Sequence, residues 1–355
     1  MVDWSIGRTA FSQVKQVYKK RISVKVVALI KILRCLSLKN FKDKETFAGF
    51  RKINVRDDHL DVTFPVLVMF PTDMPEKEEN IGPYRLNVSK NAKLQDNMFP
   101  LVVISHGTGG TPLVYRTLAR HLAQNGCIVA MPEHPYNNIH NNHLEKSIKL
   151  LETRPRNITQ TIDWFNNDHF FKNYVDFTDI SIIGHSMGGY TAIAATGGIP
   201  TTLPWETDNQ IPEVMEVEVE ERIKKLILLA PALGWFRNEG ALDQVNVPIL
   251  MMTGAKDEIT PSFHADILLK GMKDPEKVEH KIIENAGHFS FLSPFPEVMN
   301  NPSFPPSQDP EGFNRELFHE ELKSDILNFL LSKRRKILSE SSRYMTKAKY
   351  RYWKD

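Results

Sequence analysis

Cysteine is scarce in this chain of 355 residues, which holds two, Cys35 and Cys127. Two are too few for a disulfide framework, and Cys127, in the apolar run Cys-Ile-Val-Ala-Met, reads as a small core residue. Long hydrophobic runs are also missing: no uninterrupted stretch approaches the ~20 residues that a membrane-spanning helix needs. The N-terminal segment lacks the small-residue cleavage site of a signal peptide, so the expectation is a cytoplasmic chain. No internal repeat or low-complexity segment is apparent, which excludes a repeat array. Net charge is small as well, at +2.

That small total hides an asymmetry. Residues 1–44 carry 11 Lys+Arg against 2 Asp+Glu, and residues 333–355 carry 9 against 2, so the body between them is acidic at −14. From Arg8 to Ala48 there is no proline or glycine, and Phe11, Val14, Tyr18, Ile22, Val26, Leu29, Leu33 and Leu36 recur at three- and four-residue spacing. This pattern predicts a basic amphipathic helical extension over residues 1–48. Residues 333–355 form a basic tail that includes Tyr344, Tyr350, Tyr352 and Trp353. Such ends suit peripheral contact with an anionic membrane through residues 1–44 and 333–355, or docking of the helix on its own domain or a second subunit. No recognised nucleic-acid-binding module accompanies the charges, and no nucleic-acid partner is expected.

With 41% hydrophobic and 10% aromatic residues, the chain can bury a large core. Strand and helix patterns alternate: a hairpin-like start at Leu60–Phe70 and Arg85–Val88, then Phe99–Ser105, a helix from Pro112 to Asn125, and a strand Cys127–Pro132. A helix opening near Pro155 runs to Asn167, and strands at Asp179–Gly184, Ile223–Ala230, Val247–Thr253 and Glu279–Ile283 precede a closing helix near Arg315–Leu331. The alternation predicts an α/β fold with a mostly parallel central sheet and helices on both faces, spanning residues 49–332.

The chemistry concentrates at strand ends. Gly184-His185-Ser186-Met187-Gly188 joins an apolar strand to a helix, and glycines two residues either side of a serine permit the sharp turn that lifts its hydroxyl clear. A serine hydroxyl needs a base to take its proton and an acid to orient that base. Downstream, Gly254-Ala-Lys-Asp257 follows one strand and Ala286-Gly-His288 follows the next, so Asp257 is the candidate acid, with Glu258 the runner-up, and His288 the candidate base. His106-Gly107-Thr108-Gly109-Gly110 follows Phe99–Ser105 and offers backbone N–H groups of Gly107 or Thr108 for an oxyanion, with Met187 supplying another at the helix start. His106 reads as a positioning residue beside this hole and His185 as a packed elbow residue; both, with Tyr136 and Phe289, are expected around the substrate. No metal or other cofactor is called for.

Taken with Val68-Met-Phe-Pro-Thr72, Gly82-Pro-Tyr84, Pro132-Glu-His-Pro135 and Arg154-Pro-Arg156, these motifs resemble the α/β-hydrolase-fold serine hydrolases, in particular the platelet-activating-factor acetylhydrolase and dienelactone hydrolase-like esterases. The resemblance covers roughly residues 50 to 330. It implies a Ser186–Asp257–His288 triad, an oxyanion hole from the amides of Thr108 or Gly107 and of Met187, and hydrolysis of carboxylic esters, including lipid or phospholipid acyl esters, through an acyl-enzyme. Dienelactone hydrolase proper uses a cysteine, so Ser186 favours chemistry of the acetylhydrolase kind. Thioesterase, amidase or peptidase activity on the same triad, and a non-catalytic ligand- or membrane-binding protein, are the alternatives. Two segments stay open: Gly197–Glu221, an insertion with Trp205 and an acidic run, reads as a lid or as a solvated loop, and Glu133–Asn142 as a pocket wall or as turn chemistry.

Overall fold

The computed structural model describes residues 45–332, so the basic tail and residues 1–44 of the basic helix expected over 1–48 lie outside the described residues, while Phe47 and Ala48 open a strand rather than end that helix. Within 45–332, ten strands form one sheet in the order β10-β9-β8-β7-β5-β6-β2-β1-β4-β3. The strands are β1 (Phe47–Asp57), β2 (Val62–Thr72), β3 (Lys77–Ile81), β4 (Tyr84–Lys90), β5 (Phe99–Ser105), β6 (Ile128–Pro132), β7 (Val175–His185), β8 (Ile223–Leu229), β9 (Ile249–Gly254) and β10 (Val278–Ile283). Helices are α1 (Arg116–Gln124), α2 (Ile148–Asn167), α3 (Met187–Ala195) and α4 (Phe263–Gly271), followed by α5 over residues 315–332. No helix among the described residues is long and apolar enough to cross a membrane.

The sheet has two characters. From β6 through β10 every neighbouring pair is parallel, and β5, β6 and all but one residue each of β8 and β9 are buried. Parallel strands covered by helices on both faces have no solvated side, so they read as continuous apolar runs. The other half is mostly antiparallel: β1 and β2 form an eleven-residue ladder, β2 is antiparallel to β6, and β3 and β4 make a hairpin at the edge, joined to β1 by a short parallel pairing of β4. Neither β1 nor β3 stands out in the sequence. Lys77-Glu-Glu-Asn-Ile81 is an exposed edge strand whose charges suit an edge. In β1, charged residues alternate with buried ones, and the Arg51 guanidinium lies 3.5 Å from the Phe170 ring centroid, which hides its stem.

α2 begins seven residues before Pro155, earlier than the sequence suggests. Ser147 caps it, its Oγ accepting from the Leu150 amide at 3.2 Å. Pro155 therefore sits inside the helix, where it removes the N–H that would reach the carbonyl of Leu151. The Tyr190 hydroxyl donates to that carbonyl at 3.0 Å, and Tyr190 belongs to α3. A gap in one helix is thus filled from its neighbour.

β5 is the strand at which chain order reverses. The chain leaves it through α1 to β6 on one side, then passes through α2 to β7 on the other. In open α/β sheets the crevice beyond the carboxyl ends of the strands at this reversal is where ligands bind. Ser105 pairs with Gly184 there, so the ends of β5 and β7 lie side by side.

Candidate active site

Ser186 sits between β7 and α3 with φ 54° and ψ −119°. A non-glycine residue held there stores roughly 1–3 kcal/mol of backbone strain, which surrounding contacts must outweigh. Three hydrogen bonds hold it: Ser186 N–H to the Leu229 carbonyl at 3.1 Å, and its own carbonyl from the amides of Gly189 (2.8 Å) and Ala232 (2.9 Å). The glycines are required by space. A Cβ on Gly188 would stand 2.0 Å from the Ser105 carbonyl oxygen, and one on Gly184 would stand 2.2 Å from that of Gly188. Among the described residues the Ser186 hydroxyl itself has no hydrogen bond, which leaves it open to a ligand.

Asp257 lies in the loop after β9 and His288 in the loop after β10, and the structure brings them together. His288 Nδ1 is 2.9 Å from Asp257 Oδ2 and 3.2 Å from Oδ1, with both side chains buried. The carboxylate also accepts from the Ile259 and Thr260 amides at 2.9 and 2.8 Å and from the Thr260 hydroxyl at 2.8 Å. Burial alone would raise the Asp257 carboxyl; the His288 hydrogen bond and charge, with the Thr260 donors, outweigh it and hold the group below its ordinary value. The acid therefore stays ionised and accepts from His288 Nδ1, which fixes the orientation of the ring. Glu258 makes none of these contacts. Thr260 was not evident from the sequence, although Asp-x-x-Thr is the spacing at which an aspartate caps its own turn.

The loop after β5 approaches the elbow closely: a Cβ on Gly107 would be 3.1 Å from that of Ser186. The hydrogen bonds among the described residues use none of the three amides expected as oxyanion donors, those of Gly107, Thr108 and Met187.

His106 and His185, read from the sequence as a positioning residue and a packed elbow residue, are 0% and 3% exposed, and protein groups occupy their ring nitrogens. His106 Nδ1 donates to the Gly107 carbonyl at 2.7 Å, and its Nε2 accepts from the His134 amide at 3.1 Å. His185 Nδ1 is 2.9 Å from the Tyr115 hydroxyl, and its Nε2 is 3.0 Å from the His288 carbonyl. Burial lowers both to about 3, seconded by Arg154 for His106 and by His288 for His185, so both are neutral struts. Tyr136 and Phe289 are half-buried; the Phe289 ring lies 5.2 Å from the His288 ring, whereas Tyr136 stacks on His143 at 4.6 Å.

Beneath the loop lies a residue that sequence reasoning reached only as a motif letter. Arg154 is 0% exposed. It donates to the His106 carbonyl, to Asn137 Oδ1, and to Thr191 Oγ1 at 2.9 Å. Among the described residues no carboxylate pairs with it, and burial lowers its pKa to about 9. His134 continues the polar layer, with Ser105 Oγ at 2.8 Å from Nε2 and Asn157 Oδ1 at 3.3 Å from Nδ1. Asn157 in turn donates to the buried Asp57 at 2.9 Å. Asn137 and His134 thus give the loop 133–142 turn chemistry that anchors it. The insertion 197–221 folds on itself through a Thr201–Val214 bridge, and Trp235 Nε1 donates to Glu206 at 2.9 Å. Trp205, Ile211 and Val214 stand exposed on it.

Residues 76–149, which carry the loop after β5 and the helix α1, match the family model of platelet-activating factor acetylhydrolase, isoform II. The chain is also similar to the solved structure of a ferulic acid esterase from Streptomyces cinnamoneus: TM-score 0.59, 15% sequence identity, over 82% of this chain and 90% of that one. At that identity the likeness shows the fold, an α/β-hydrolase fold, and the family match gives the chain its resemblance to the acetylhydrolase group.

Proposed function

We propose that this chain is a serine hydrolase that cleaves carboxylic esters through an acyl-enzyme. The observation that carries the reading is the buried Asp257–His288 pair, 2.9 Å apart, beside a serine strained into the elbow conformation. In this mechanism Ser186 Oγ attacks the ester carbonyl while His288 Nε2 takes its proton. Asp257 stabilises the imidazolium that results. The amides of Thr108 and Met187 receive the oxyanion. As the tetrahedral intermediate collapses, the C–O bond to the alcohol breaks and His288 returns the proton to the leaving oxygen. Water then attacks the acyl-serine with His288 again as base, releasing the acid and restoring Ser186.

In the same reading residues 49–332 form the catalytic domain, and the family match favours lipid acyl esters. Basic ends at residues 1–44 and 333–355 would hold such an enzyme at an anionic lipid surface. The test is a fluorophosphonate probe with wild-type protein and Ser186→Ala, and p-nitrophenyl esters of short and long chains in the same samples. Labelling and turnover lost in the variant are expected; either surviving would remove Ser186 as nucleophile. A parallel panel of thioesters and amides distinguishes ester preference from the related acyl chemistries.

A further inference from the structure

We infer that Tyr115 and His185 are positioning residues that tie the oxyanion loop to the general-base loop by one directed hydrogen-bond chain. The inference rests on the serine-hydrolase reading and names two residues which that reading does not use. The chain ends at the His288 carbonyl, which can only accept and lies 3.0 Å from His185 Nε2. Nε2 therefore carries the proton of the neutral ring, and Nδ1 accepts. Its donor is the Tyr115 hydroxyl, 2.9 Å away. Tyr115 closes the turn Pro112–Tyr115 that follows the oxyanion loop, and the loop itself packs on the ring: a Cβ on Gly107 would stand 3.5 Å from His185 Nδ1.

Each step fixes the next, so the direction of the whole chain follows from the His288 carbonyl, which can only accept. Tyr115 and His185 are buried, 2% and 3% exposed. Burial also pushes the Tyr115 hydroxyl up and keeps it protonated as a donor. The chain passes through His185, the chain neighbour of Ser186, with the His185 and His288 rings 5.0 Å apart. It therefore reaches both sides of the nucleophile: the turn that follows the oxyanion loop on one, the backbone of His288 on the other. Misplacing either by an ångström is the kind of error that costs catalysis far more than binding.

Tyr115→Phe deletes one oxygen, keeps the ring, and removes the first donor of the chain. Kinetics per active serine, counted by fluorophosphonate titration, should show kcat down about tenfold with KM within twofold. His185→Leu should do the same, and the double variant should be no worse than either single one, because a chain is broken only once. His185→Gln, whose amide can accept and donate, should recover part of the loss. A kcat per labelled serine within twofold of wild type in Tyr115→Phe, or additive losses in the double variant, would overturn the inference. An independent reading comes from nitrogen-15 spectra of histidine-labelled full-length protein, with the His185 signal identified by its loss in His185→Gln. A neutral Nε2–H tautomer from pH 5 to 8 is expected; an Nδ1–H tautomer, or titration near the ordinary histidine value, would also overturn it. Wild type that neither labels nor turns over would mean that the proposed function fails, and the tautomer spectrum then decides the chain by itself.

Discussion

Two regions that bear on Ser186 in sequence are built on opposite principles. On one side the loops after β5 and β6, with α2, make a layer of buried polar groups: His106, His134, Asn137, Arg154, Asn157 and Asp57, each hydrogen-bonded. On the other, the insertion 197–221 that follows α3 is pinned at a few points and turns Trp205, Ile211, Val214 and Val219 to solvent. Buried polar groups that lack partners are costly, so a fully partnered layer has little freedom to rearrange. Exposed apolar side chains are free to meet whatever arrives. The contrast separates a region that fixes where reacting atoms stand from one that can be altered without disturbing them.

The largest break should come at the elbow, where the two regions share a backbone. Gly188→Ala puts a methyl 2.0 Å from the Ser105 oxygen. It should lower stability by about 4 kcal/mol or more and abolish fluorophosphonate labelling; chemical denaturation and labelling of any folded fraction check this, and a stable, labelled variant would refute the packing argument.

Acid should attack the buried layer next. His106 and His185 fall to about 3 and His134 well below its ordinary value, each chiefly through burial, so the folded state keeps them neutral. An unfolded chain protonates its histidines near the ordinary value of about 6.5, so below that pH it binds more protons than the folded state. The stability of the neutral buried forms is full above about pH 6.5 and is lost as pH falls toward the folded values. Each histidine contributes a slope of about 1.4 kcal/mol per pH unit. Three together should make stability fall steeply between pH 6 and 4, read as denaturation midpoints against pH; a flat profile there would mean that these histidines are not held neutral.

Arg154→Met should cost about 3 kcal/mol, because it strands the His106 carbonyl, Asn137 and Thr191 without a donor. An unchanged midpoint would show that the layer relaxes around the loss. At the other extreme, Trp205→Ala removes an exposed side chain and should move stability by no more than about 0.5 kcal/mol. Its expected effect is on the ratio of long- to short-chain ester turnover, by a few-fold. A large stability loss there would erase the distinction between the two regions.

Much of this was legible because burial on both faces leaves a simple mark. β5 through β9 carry apolar runs, and the loop at 106–110, Ser186 and Asp257 each follow one; His288 follows β10, whose Val-Glu-His-Lys-Ile-Ile is not buried, and was marked by its Ala-Gly-His motif instead. β1 and β3 were not legible, since their charged residues are accommodated by an aromatic ring and by an open edge. The start of α2 was misplaced because Pro155 normally opens a helix, and only Tyr190, distant in sequence, makes it tolerable inside one. Tyr115, Thr260 and Arg154 escaped for the same reason: a hydroxyl or guanidinium declares its task only when its partners, from other elements, are known. His106 and His185 were legible as positioning and packed residues, but the protein groups on which their nitrogens are spent were not.

The proline in α2 also sets a rule for change. Replacing Pro155 by alanine would mend the helix and give Leu151 its ordinary partner, and in doing so would evict the Tyr190 hydroxyl from its berth. Replacing Tyr190 by phenylalanine would leave the gap with nothing in it. Neither residue can improve by itself; the helix that begins at the nucleophile is keyed to its neighbour by a missing hydrogen, and the two positions are free to vary only as a couple.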